Sequence, residues 1–67
     1  MKVRSEILEK IRTSTEIRRE LARQLDVSDA SIARYIRNNE ENGDFTKVIA
    51  IKVISNKLNI PEDSVLE

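Results

Sequence analysis

Apolar residues fall at helical spacing through most of this chain. Val3, Ile7, Leu8 and Ile11 predict a first amphipathic helix over residues 3–12, with Arg4, Glu6, Glu9, Lys10 and Arg12 as its solvated face. Thr13-Ser14-Thr15-Glu16 then carries a capping-box pattern, read with Thr13 as the cap and Glu16 reaching back. A second helix follows with Ile17, Leu21 and Leu25 on its inner side. A third is expected from about residue 28 to residue 38, burying Ile32 and Ile36. Ser28 suits its N-cap, Asn38 a left-handed C-cap, and Tyr35 lies near the edge of the buried side as a packing residue.

From Phe45 the pattern admits two readings. Phe45, Val48, Ile49, Ile51, Ile54 and Leu58 can share one broad helical face, after a turn at Asn42-Gly43 and a possible cap at Asp44. The same stretch, KVIAIKVI over 47–54, is dense in β-branched residues that favour strands. A strand needs a partner, and no second convincing strand sequence is present, so helix is expected. Asn59-Ile60-Pro61-Glu62-Asp63 ends that helix and opens a last short one, proline fitting a first turn and acids the N-terminal dipole. Ile60, Val65 and Leu66 then fold back on the core. The expected architecture is an all-α, five-helix single domain over residues 1–67; the alternative is a mixed α+β form with a strand near 47–54.

The third helix shows two different sides. Opposite Ile32 and Ile36, a turn of about 100° per residue groups Ala30, Ala33, Arg34 and Arg37. Small side chains let a backbone approach base edges, and arginine forks match guanine or phosphate, so this side suits a DNA groove. Asp29 supports the helix dipole by its position at the helix start. Arg18, Arg19 and Arg23 on the preceding helix serve solvation or contact phosphate, helped by the free amides at that helix's start.

The stretch from Arg18 to Arg37, RRELARQLDVSDASIARYIR, resembles the helix-turn-helix of phage repressor and Cro-like proteins, the lambda repressor-like class. Ala22 stands where that motif has the alanine at the contact of its two helices. Leu21, Leu25, Val27 and Ile32 match its core positions and Ser28 its cap. Leu58, Ile60, Val65 and Leu66 look like the family's closing helices, so the resemblance covers the chain from roughly Thr13 onward. Asp26 occupies the turn position where glycine is usual, and aspartate tolerates positive φ better than most residues. The loop Asn38-Asn39-Glu40-Glu41-Asn42-Gly43-Asp44 departs from relatives that carry phosphate-gripping basic residues there. The resemblance implies base-facing roles for Ser28, Asp29, Ala30, Ala33, Arg34 and Arg37, and phosphate contacts from Thr15, Arg18, Arg19, Arg23 and Lys47.

Composition narrows the function. The 67 residues include no cysteine and no histidine, so no disulfide or zinc framework is expected and the commonest metal ligand and general base are missing. No catalytic grouping stands out, and no cofactor or small-molecule ligand is expected. No run is long enough to span a bilayer and no export signal is recognisable, so a cytoplasmic protein is expected. Net charge is zero, yet residues 1–39 hold nine Lys and Arg against six Asp and Glu, while residues 40–67 hold three against six. That asymmetry fits one half facing a polyanion, or plain solvated faces. The leading expectation is a sequence-specific DNA-binding repressor of the Cro type, from a phage or prophage. It would bind a double-stranded operator as a homodimer, completed on DNA if weak in solution. The DNA-binding antitoxin of a toxin–antitoxin pair is the near alternative, and a protein-interaction module with a vestigial motif the more distant one.

Overall fold

The computed structural model describes all of residues 1–67. Four helices follow one another: α1 (Ser5–Arg12), α2 (Thr15–Leu25), α3 (Asp29–Asn38) and α4 (Val48–Leu58). Single 3-10 turns stand at Asp44–Thr46, before α4, and at Glu62–Ser64, after it. The domain is all-α in its regular elements, with four helices rather than the five expected. The anticipated closing helix is only the second 3-10 turn. Its three residues lie between Pro61 and Val65, which is fully buried, so the chain turns once and enters the core.

All twelve buried residues are apolar, and every element supplies some except the last 3-10 turn. Ile7 and Ile11 come from α1, Ile17, Leu21 and Ala22 from α2, Ile32 and Ile36 from α3, and Ala50 and Ile54 from α4. α2 is central and packs against each of the other three helices. A chain this short buries a modest share of its surface, so its margin rests on few side chains.

Residues 47–54 do not form a strand. Ala50 and Ile54, four apart, are both fully buried, and burial of that helical stripe outweighs a β-branched preference of a few tenths of a kcal/mol per residue. The inward face differs from the one expected. Phe45 reaches the core from the 3-10 turn before α4, while Val48 and Ile49 stay 68% and 42% exposed. Lys47, not Asp44, stands at the N-cap of α4 and makes no side-chain cap bond.

The helix expected over 3–12 starts two residues later. Val3 is extended and pairs with Leu66 in an isolated antiparallel bridge. The Arg4 amide donates to the Val65 carbonyl at 3.1 Å and the Glu67 amide to the Lys2 carbonyl at 3.0 Å. Val3 enters the core through this pairing, which removes it from the helical register of Ile7 and Ile11.

Candidate nucleic-acid interface

The approach of α2 to α3 begins with a cap one residue beyond the expected one. Ser14, not Thr13, opens α2: its Oγ accepts from the Ile17 amide at 3.3 Å. Thr13 instead closes α1, donating from Oγ1 to the carbonyls of Glu9 at 3.1 Å and Lys10 at 3.3 Å. Glu16 does not reach back; its carboxylate accepts from Lys57 Nζ at 3.2 Å.

Asp26 ends α2 in the left-handed region at φ 57°, ψ 50°, its amide donating to the carbonyls of Ala22 and Arg23. The chain there reverses direction at a residue able to tolerate positive φ. Ala22, 9% exposed, sits in the core cluster four residues before this turn. Ser28 then caps α3, its Oγ accepting from the Ser31 amide at 3.2 Å. The left-handed residue closing α3 is Asn39, at φ 41°, rather than Asn38. Its side-chain amide donates to the Val3 carbonyl at 3.2 Å, a long-range tie that fixes the cap one residue later.

With both ends fixed, α3 buries Ile32 and Ile36 and leaves Ala30, Ala33, Arg34 and Arg37 exposed along one side. Ser28 and Asp29 are exposed at its start. Thr15, Arg18, Arg19, Asp29 and Ile32 surround a hollow of about 140 Å³, which brings the starts of α2 and α3 together. Arg18 is partly committed there: Nε donates to the Ser14 carbonyl at 3.4 Å and a terminal nitrogen to Thr15 Oγ1 at 3.1 Å. Arg19 is exposed and takes part in no ion pair.

Two of the sequence-derived basic residues are paired with carboxylates. Arg23 is bonded to Glu20 at 2.6 Å and lines the groove between α2 and α4 with Ile49, Lys52 and Val53. Hydrogen bonds from Gln24 and then from Arg23 hold the Glu20 carboxyl below its ordinary range. Lys47 lies before α4 and pairs with Asp44 at 4.0 Å. Arg12, on the solvated face of the first helix by its spacing, shares a groove of about 510 Å³ with Arg18, Ala33 and Arg37. Its i, i+3 pairing with Glu9 was visible in the sequence, but its closeness to α3 depends on how α1 packs. The Glu9 carboxyl is held low by the Arg12 hydrogen bond.

The acidic loop after α3 is less free than its composition implies. Glu41 accepts from the Met1 ammonium at 2.7 Å, and Asn42 Oδ1 accepts from it at 3.1 Å. Asp44 is half-buried and shares a hollow with Arg34 and Tyr35. No group of three or more potential His, Cys, Asp or Glu ligands gathers anywhere, and no helix is long and apolar enough to cross a membrane. What the α3 side offers chemically is an array of hydrogen-bond donors on a small-residue surface. Comparisons with family models, with curated proteins and with solved structures found no match to this chain.

Proposed function

We propose that this chain is a sequence-specific, double-stranded DNA-binding regulator of the lambda repressor-like class, acting as a Cro-type repressor with α3 in the major groove. The observation that carries this reading is the exposed side of α3. Two alanines clear the backbone's approach, Arg34 and Arg37 flank them, and Ile32 and Ile36 anchor the helix from behind. The Asp26 turn and the paired starts of α2 and α3 support it, since they would set Arg19 and Thr15 beside a phosphate backbone that α3 enters. Base contacts would come from Ser28, Asp29, Ala30, Ala33, Arg34 and Arg37. Backbone contacts would come from Thr15, Arg18 and Arg19. Arg23 and Lys47, each paired with a carboxylate, contribute less in this reading.

Two copies would act together, placing two recognition helices about one helical turn (~34 Å) apart. The exposed Val48 and Ile49 supply an apolar surface for that contact. The same patch is what the antitoxin reading would need for a protein partner, and co-purification of a second protein species would separate the two.

The test is selection from random duplex DNA followed by two substitutions. Enrichment of a palindrome is expected. On the selected duplex, Arg34→Ala should cost about 1–3 kcal/mol and relax the base at one position. Arg19→Ala should weaken selected and random duplexes alike and lower the salt slope by about 1. Binding isotherms at several salt concentrations give both quantities. No enrichment of any duplex, or no loss for either variant, rejects this side as a DNA surface.

A further inference from the structure

Arginines along α1, α2 and α3 are held in different ways. Arg12 and Arg23 spend donors on the carboxylates of Glu9 and Glu20. Arg34 takes part in no ion pair. Instead its guanidinium carbon stands 5.5 Å from the centroid of the Tyr35 ring, within cation–π range. Adjacent residues on a helix do not ordinarily face each other, so this contact depends on where the ring is fixed. The ring is fixed from behind: it meets Phe45 edge-on at 5.7 Å with an 85° interplanar angle, and Phe45 is itself 4% exposed. Asp44, at the start of the same 3-10 turn, lines one hollow with Arg34 and Tyr35. Its carboxylate and then burial raise the phenol above its ordinary pKa, with Arg34 opposing them.

We infer that Tyr35 is a positioning residue for Arg34, a fixed aromatic surface that holds the guanidinium for base reading; the inference rests on the DNA-binding reading above. The guanidinium carries five N–H donors, and a ring bearing one hydroxyl restrains it while leaving most of them for a base edge, whereas a bidentate carboxylate pair takes two. Tyr35 itself touches no base in this scheme. It links specificity on α3 to the packing of the turn before α4.

The expected effects follow from the usual strength of an exposed cation–π contact, converted at tenfold per 1.4 kcal/mol. Tyr35→Leu should lower affinity for the selected duplex about two- to fivefold and leave random-duplex binding unchanged. Tyr35→Phe keeps the ring and should keep the preference. In the Arg34→Ala background, Tyr35→Leu should add no further loss. Equal losses on both duplexes, a further loss in the double variant, or full preference in Tyr35→Leu overturns the inference. An NMR measurement on the wild type stands independently of whether Tyr35→Leu folds. The Arg34 Nε–H resonance should be displaced by the ring current, both free and on the selected duplex. A resonance at its random-coil position in the complex overturns the inference. Absence of any wild-type duplex preference removes the DNA-binding reading, and this inference with it. A preference undiminished by loss of the ring removes this inference alone.

Discussion

An aspartate holds the left-handed turn between α2 and α3, where glycine would meet no Cβ penalty. For an ordinary L-residue that conformation costs roughly 1–2 kcal/mol, less for aspartate, and glycine recovers it only against its own entropy cost of about 0.5–1 kcal/mol. Asp26→Gly is therefore expected to melt near the wild type or slightly above. Asp26→Val, β-branched and unable to bond locally, should lose about 1–2 kcal/mol, a drop of several degrees in a domain of this size. Thermal melts of the three proteins give the ranking, and a valine variant as stable as the wild type would remove the turn's backbone argument. This feature was legible through the resemblance, whose motif marks the turn with glycine, together with aspartate's local tolerance of positive φ. The shift from Asn38 to Asn39 was not, because both residues are asparagine and the deciding bond runs to Val3.

Among elements, the start of α2 offers a direct comparison of two neighbouring hydroxyls. Ser14 supplies the oxygen that accepts from the Ile17 amide, so Ser14→Ala should cost about 1 kcal/mol. Thr13 sits after α1, exposed, with its hydroxyl on carbonyls of the helix it ends, so Thr13→Ala should change stability by no more than about 0.5 kcal/mol. Chemical denaturation of both variants checks the order, and a larger loss at Thr13 would return the cap to that residue. Sequence spacing fits a box at Thr13 and Glu16; it does not show that Lys57 claims the Glu16 carboxylate. The helical state of residues 47–54 was legible from the missing strand partner. Its inward face was not, since Val48 and Ile49 look as core-worthy as Ala50 until Phe45 takes the place beside the core.

At the scale of the molecule, the α3 side could be read from periodicity alone, whereas the positions of Arg12, Arg23 and Lys47 depend on helix packing that periodicity does not encode. Two ion pairs tie charge to pH at this scale. Glu9 and Glu20 have folded pKa values held below their unfolded ones, so their contribution is present above the ordinary glutamate value of about 4.3 and is lost as pH falls through the depressed values. Stability should therefore decline as pH drops below about 4.3, and Glu20→Gln should flatten that decline in melts recorded across the acid range. The association proposed here makes the final prediction. Val48 and Ile49 are exposed at the start of α4, beside Lys47, which is paired with Asp44. Changing Ile49 to aspartate should leave the melting temperature within about 3 °C, because the side chain lies largely outside the core. It should nonetheless lower affinity for a selected palindrome by tenfold or more, since one bound copy would no longer recruit the second. Native mass spectrometry of the wild-type complex should show two chains per duplex, and the Ile49→Asp complex mostly one. A single wild-type chain on the preferred duplex would rule out the twofold arrangement, and an unchanged two-chain complex in the variant would move the contact away from α4.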